Sequence, residues 1–263
     1  MKPSNALRWI EAVLLICVSR CLGLPADDES DNADIQRLET ERAVLITFYH
    51  AVLANQTNRL ALADEGLWLS DQPVCKWVGI SCGALPSKAL LHASTDTDGG
   101  GELKVLEPST ERPPDNAVTA IQLPSLGLEG TIPTVLGQLQ HLLKLRLDHN
   151  QLKSTLPTEL ARATSLRYLD LSRNELEGTI PESYATQLSD LQLFSVQKNF
   201  LSGSIPPFDG WTSSMQKLDF SFNSLQGSIP SQIVECTSLR TLALDNNILT
   251  GRLPDWGQMK RLK

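Results

Sequence analysis

Apolar residues follow two different spacings along this chain. Ile35, Leu38, Leu45, Phe48 and Val52 recur at helical spacing behind Asp34, a residue type that caps helix N-termini, and predict one amphipathic helix. From Val118 onward a longer period takes over. Five segments fit the template L-x-x-L-x-L-x-x-N-x-L, with apolar substitutes allowed. They are Leu142/Leu145/Leu147/Asn150/Leu152, Leu166/Leu169/Leu171/Asn174/Leu176, Leu191/Phe194/Val196/Asn199/Leu201, Met215/Leu218/Phe220/Asn223/Leu225 and Leu239/Leu242/Leu244/Asn247/Leu249. An upstream copy, Val118/Ile121/Leu123/Leu126/Leu128, carries Leu where the others carry Asn. The asparagines fall 24 or 25 residues apart, which marks six repeats of one structural unit.

The residue types specify the unit. In each L-x-L centre alternate residues point inward, so the segment predicts a short strand whose intervening residues face solvent. One such strand cannot bury its leucines alone. Stacked about 4.8 Å apart in a parallel sheet, several can. The Asn stands where the chain leaves the sheet, and its amide can bond backbone groups that the turn leaves unpaired. Asn150, Asn174, Asn199, Asn223 and Asn247 therefore read as a structural ladder.

A second motif keeps the same phase. Gly130-Thr-Ile-Pro133, Gly178-Thr-Ile-Pro181, Gly203-Ser-Ile-Pro206, Gly227-Ser-Ile-Pro230 and Gly251-Arg-Leu-Pro254 recur, with Ser154-Thr-Leu-Pro157 as the degenerate copy. Gly permits a tight bend, and Pro fixes an extended path that cannot continue a helix. The run L-x-G-x-I-P after each Asn resembles the extracellular leucine-rich repeats of plants. These occur in receptor-like kinases, receptor-like proteins and polygalacturonase-inhibiting proteins. Trp68-Leu-Ser-Asp-Gln-Pro-Val-Cys75-Lys-Trp77-Val-Gly-Ile-Ser-Cys82 is similar to the N-terminal cap of the same family. The resemblance implies an α/β solenoid: a curved leucine-rich-repeat array with a parallel β-sheet on its concave face and an irregular or 3-10 convex side. A helical, disulfide-bonded N-terminal cap would close the first coil, with Trp68 and Trp77 as packing residues. Cys236 falls on the outer turn, where the family often buries an inert thiol.

The first residues read differently. Lys2 and Arg8 precede the apolar stretch Ala12–Ser19, and Cys21-Leu22-Gly23 offers small residues before an acidic run, the layout of a secretory signal peptide over 1–23. Export leaves Cys75, Cys82 and Cys236, and in an oxidising compartment Cys75 and Cys82 pair. The domain reading is then a signal peptide at 1–23, a cap at 34–82, six repeats at 117–261 and the start of a seventh at 262–263. Between cap and repeats, 83–116 reads as a hairpin-like or disordered insertion, longer than the family's usual junction. Within it Asp96, Asp98, Gly100 and Glu107 take calcium-loop positions, but no flanking helix pair supports a metal site. No cofactor or metal is expected. Asn55-Gln56-Thr57 is a glycosylation sequon, placing a candidate glycan at Asn55.

Charge narrows the partners. The net charge of −7 and the balance of 13 basic and 13 acidic side chains over 117–263 supply no basic stripe, which excludes nucleic acid. In a solenoid the solvent-facing strand residues form the recognition surface, and here Lys144, Arg146, His149, Tyr168, Arg173 and Lys198 cluster on adjacent rows. That patch suits an acidic peptide, a carboxylate or an acidic glycan. No catalytic motif is present and the four histidines lack nucleophile partners at a recognisable spacing, so an enzyme is not expected. The chain reads as a secreted or cell-surface recognition module for a protein, peptide or glycan. The alternatives are a truncated ectodomain of a receptor-like kinase, attached to a membrane only through a missing C-terminal region, and an inhibitor of a secreted hydrolase. The seventh repeat stops after Leu262-Lys263 without a cap, so the reading expects either a fragment or a partner covering that end.

Overall fold

The computed structural model of the chain describes residues 29–52, 73–83 and 117–262. The signal segment, Asn55, Trp68 and the insertion beyond Gly83 lie outside the described residues.

Helix α1 (Glu29–Val52) starts five residues earlier than the apolar spacing indicates. The residues ahead of the apolar stripe are helical as well. Asp34 consequently sits inside the helix and ion-pairs with Arg37 at 2.5 Å rather than capping it. One face buries Val44, Leu45, Phe48, Tyr49 and Val52 against the first coil. Glu41 is buried there too, and its Oε2 accepts the Val118 N–H at 3.0 Å. Burial pushes the Glu41 carboxyl up, while the Val118 bond and Arg37 pull it down. At the helix end Gly130 (φ 93°) passes so close that a Cβ there would lie 2.1 Å from the Ala51 carbonyl oxygen.

After a 3-10 turn at Val74–Lys76, Cys75 and Cys82 form a disulfide with 5.5 Å between their Cα atoms. Trp77 is buried between them, with the Arg42 guanidinium 5.4 Å from its ring centroid. Strand β1 (Ile80–Cys82) runs antiparallel to β2 (Val118–Gln122) and pairs the cap to the array through the backbone.

Beyond β2 the sheet is parallel. Strands β4 (Lys144–Arg146), β6 (Tyr168–Asp170), β8 (Leu193–Ser195), β10 (Lys217–Asp219) and β12 (Thr241–Ala243) add one row per repeat, all in the same register. The repeats also build a second sheet that the sequence reading left irregular. Strands β3 (Glu129–Gly130), β5 (Gln151–Thr155), β7 (Glu175–Thr179), β9 (Phe200–Ser204), β11 (Ser224–Gly227) and β13 (Ile248–Leu249) pair in parallel beside the first. The cause is the Leu two residues after each Asn, buried at 152, 176, 201 and 225 between exposed or half-buried neighbours, which is the alternation of a strand with one buried face. Four coils return through 3-10 turns at Thr134–Gln138, Thr158–Arg162, Ser231–Glu235 and Trp256–Gln258, and the coil from Glu182 to Gln187 forms a short α-helix, α2. A proline precedes three of these turns and α2, with its backbone extended.

The asparagines join coil to coil. Asn174 Oδ1 accepts the Leu152 N–H at 3.1 Å, and its Nδ2 donates to the carbonyls of Leu147, Leu171 and Ser172 at 3.0 to 3.2 Å. Asn199, Asn223 and Asn247 repeat this pattern. Where the first repeat carries Leu126, Asn150 Oδ1 accepts both the Leu126 and Leu128 N–H groups at 3.0 Å. Cys236 is fully buried on the outer turn, and burial, with Glu235 nearby, pushes its thiol up to about 12.

Candidate functional site

Each row of the first sheet contributes two residues from the strand and two from the turn that follows. From β4 these are Lys144, Arg146, Asp148 and His149, and from β6 Tyr168, Asp170, Ser172 and Arg173. The structure keeps all six candidate ligand residues on this inner side, but it separates them by exposure.

Lys144 is 3% exposed and Tyr168 9% exposed, so these two are not the open ligand contacts their spacing suggests. The reason is lateral. In a parallel ladder equivalent residues stand about 4.8 Å apart, and a long side chain lies across its neighbour. Lys144 Nζ rests 4.6 Å from the centroid of the Tyr168 ring. Burial holds the Lys144 ammonium below its ordinary pKa, with Arg146 acting in the same direction. Burial likewise pushes the Tyr168 hydroxyl well above its usual range, and Asp170 adds to that.

Arg146 is committed differently. Its Nε donates to Asp148 Oδ1 at 2.6 Å, and this bond holds the guanidinium pKa up. The His149 Nδ1 lies 2.8 Å from the other oxygen of the same carboxylate. Asp148 is buried and accepts from both sides, so part of the basic patch is neutralised within the protein.

Two Asp–Ser pairs add hydrogen bonds on this face that the strand pattern alone does not show. Asp170 Oδ1 accepts Ser172 Oγ at 2.6 Å and Ser172 N–H at 3.1 Å; burial still raises its pKa, against the pull of those bonds. Asp219 and Ser221 repeat the arrangement two rows on, with Oγ to Oδ1 at 2.7 Å. The signal was available as Leu169-Asp-Leu-Ser172 and Leu218-Asp-Phe-Ser221, identical in phase.

Arg173 and Lys198 remain exposed. Both occupy the position before the Asn, where the backbone turns left-handed in every repeat: Ser125, His149, Arg173, Lys198, Phe222 and Asn246 all have φ between 54° and 58°. Their N–H groups donate to the next coil, Arg173 to the Gln197 carbonyl at 2.7 Å and Lys198 to the Ser221 carbonyl at 3.0 Å. This repeats one side-chain position in every coil, a rank along the rim of the first sheet. Phe222 is 43% exposed there, and Lys198 Nζ lies 5.2 Å from its ring centroid. Among the described residues, no group of three or more His, Cys, Asp or Glu side chains could hold a metal ion. No described helix is long and apolar enough to cross a membrane.

The sequence matches models of the leucine-rich repeat over residues 117–176 and 214–236. No curated protein matches it. Among solved structures it is similar to the leucine-rich-repeat ectodomain of the receptor kinase SOBIR1 from Arabidopsis thaliana. There the identity is 27% over 77% of this chain and 97% of that one, with a TM-score of 0.54. The BIR2 ectodomain from Arabidopsis thaliana is 25% identical over 81% of this chain and 95% of that one, with a TM-score of 0.57. The ectodomain of the Arabidopsis receptor kinase HAESA, solved with an N-terminally extended IDA peptide hormone ligand, shares the fold. It is 24% identical over 86% of this chain and 32% of that one, with a TM-score of 0.65. The chain thus spans about a third of the HAESA ectodomain's length.

Proposed function

We propose that this plant-type extracellular leucine-rich-repeat protein is a recognition module whose concave face binds a protein, peptide or glycan ligand. The observation that carries the reading is the division of that face. A packed inner layer, with Lys144 against the Tyr168 ring and the Asp148 and Asp170 carboxylates hydrogen-bonded, supports an outer layer of reachable groups, among them Arg146, His149, Arg173, Lys198, Gln197 and Lys217. A preorganised backbone that holds these side chains within reach of a ligand suits binding, because little backbone ordering entropy is lost on association. The complex of HAESA with a peptide hormone supports a peptide among the ligands. Export, through a signal segment at 1–23, belongs to the same proposal.

The test uses the full chain, immobilised, to select binders from a random peptide library and a glycan array. Selected binders should lose at least tenfold affinity when Arg146, Gln197 and Lys217 are replaced together by Ala in a variant whose circular-dichroism spectrum shows that it is still folded. Equal binding to the variant would remove the concave face as the site.

A second reading, the ectodomain of a receptor-like kinase, draws support from extent. The chain spans 97% of the SOBIR1 ectodomain and 95% of the BIR2 ectodomain. It predicts that the native transcript continues past Lys263 into a membrane span and a kinase. A stop codon directly after Lys263 would end it.

A further inference from the structure

We infer that Asp148 is a positioning residue of the concave face, and that the row it organises, Arg146 with His149, takes a neutral primary carboxamide: the Asn or Gln side chain of a peptide. The inference rests on the recognition reading above and names the group that one row of that surface holds.

The geometry starts from a buried carboxylate. Asp148 Oδ1 accepts Arg146 Nε at 2.6 Å, and Oδ2 accepts Arg146 Nη2 at 3.4 Å. The same Oδ2 lies 2.8 Å from His149 Nδ1. The backbone of this row is held from both sides. The Asp148 carbonyl accepts the Ser125 N–H at 3.0 Å and Asn150 Nδ2 at 3.2 Å, while the His149 N–H donates to the Ser172 carbonyl at 2.9 Å.

Counting hydrogens then sets what faces a ligand. A carboxylate paired with a guanidinium has no proton to give, so its bond to His149 requires the proton on Nδ1. The neutral imidazole therefore presents Nε2 as an acceptor. Arg146 spends its Nε–Nη2 edge on Asp148, which leaves N–H groups of Nη1 and Nη2 as donors. Neither Arg146 Nη1 nor His149 Nε2 has a hydrogen-bond partner among the described residues, and both side chains reach solvent. Row two thus offers donors and one acceptor, anchored on the two oxygens of a single carboxylate.

That combination discriminates between ligand groups. Asp148 already neutralises Arg146, so a second carboxylate gains less from the guanidinium and also meets the Nε2 lone pair. A primary carboxamide satisfies both groups, because its oxygen accepts from Arg146 and its N–H on the same side donates to Nε2. A backbone amide does not, because the C=O and N–H of a trans peptide point to opposite sides.

The first test reads the proton. In nitrogen-15 NMR spectra of the full chain, on the alkaline side of the imidazole titration, His149 should carry Nδ1–H. Asp148→Asn should convert it to Nε2–H, since the Asn oxygen still accepts from Arg146 while its amide donates to Nδ1. The signal is assigned by its loss in His149→Asn, the residue that the sixth row carries at Asn246 on the same left-handed backbone. Finding Nε2–H in the native chain would overturn the proposal.

The second test reads the ligand. Retention on the immobilised full chain is compared, at the same pH, for three hexapeptide libraries built on the same apolar residues. One adds Asn and Gln, one Asp and Glu, one Ser and Thr. The amide library should be retained at least fivefold better than either of the others, and equal retention of any two would overturn the carboxamide assignment. Asp148→Asn should shift the amide-to-acid ratio at least tenfold towards the acid library, because Nε2 then donates. Asp245→Asn removes the same charge at the same phase of row six and should shift the ratio less than twofold. An equal shift there would reduce the effect to net charge and sink the assignment. Should Asp148→Asn fail to fold, Arg146→Lys keeps the charge, loses the fork and should abolish the amide preference; a preference that persists is equally fatal. If the carboxamide fails while random-library binders still depend on Arg146, Gln197 and Lys217, the recognition reading stands and only this assignment falls.

Discussion

Asn174 and Arg173 are adjacent in the chain, yet they belong to ranks with opposite rules. The inward rank (Asn150, Asn174, Asn199, Asn223, Asn247) is uniform because each amide accepts from one N–H, or two at Asn150, and donates to several carbonyls at fixed places in two coils. The rim rank takes Ser, His, Arg, Lys, Phe and Asn at one φ value, because its backbone is held by hydrogen bonds that do not involve the side chain. One kink in the repeat therefore creates a position where chemistry is dictated and, beside it, a position where chemistry is free. Specificity can vary along the second without disturbing the first.

That contrast can be broken most severely on the inward side. Asn174→Ala leaves a buried N–H and buried carbonyls unpaired. At roughly 1–3 kcal/mol for each buried group stranded, it should cost about 3 kcal/mol or more in a chemical-denaturation measurement. Arg173→Asn, one residue away, should change stability by less than about 0.5 kcal/mol. A comparable loss at both positions would show that the rim side chains are structural after all.

Reducing the Cys75–Cys82 disulfide comes next. It closes a short loop and should cost about 2.5 kcal/mol in the chain-entropy account, read as a fall in Tm with added reductant. The loss should fall first on the cap, seen as faster amide exchange in β1 than in β8.

Ser154 tests the bend that recurs through the array. It stands in the glycine position with φ 131°, where the other copies carry Gly at φ between 77° and 93°. Ser154→Gly should raise stability by about 0.5–1 kcal/mol, relief of backbone strain outweighing the greater freedom of Gly in the unfolded chain. A lower Tm would mean that Ser154 is not strained.

The smallest effect is electrostatic. The Asp170 carboxyl is raised above its unfolded value by burial, so the ionised form weighs against folding at neutral pH. Asp170→Asn keeps an oxygen for the Ser172 donors and should raise Tm slightly near pH 7. The folded protein binds that proton more tightly than the unfolded chain. The advantage of Asn should therefore shrink as pH falls through the folded pKa towards the unfolded value. A difference that stays constant with pH would exclude burial of the charge as its origin.

Repetition made the array legible from sequence. A hydrophobic residue at a fixed phase six times over leaves one way to bury all copies, which is to stack them, and an Asn at the same phase needs the same turn each time. The second sheet was equally encoded, in the Leu two residues after each Asn and the Gly that follows, but its strands are as short as two residues and lie beside proline. Only pairing with neighbouring coils turns such fragments into strands. Helix α1 shows the reverse: periodicity located its buried face, at Leu45, Phe48 and Val52, while polar residues that pattern cannot read extended its start to Glu29.

The sequence by itself determined the repeat, its strand, its turn and the side of the strand on which each residue falls, because these depend on neighbours a few positions away. It could not determine exposure on that side. Lys144 and Arg173 both read as solvent-facing cations, yet one is buried along Tyr168 and the other stands free on the rim. That difference arises between coils, from which side chain the next row supplies and whether a left-handed turn carries the residue clear of the sheet. Such contacts join residues some 24 positions apart, and only the stacked structure brings them together.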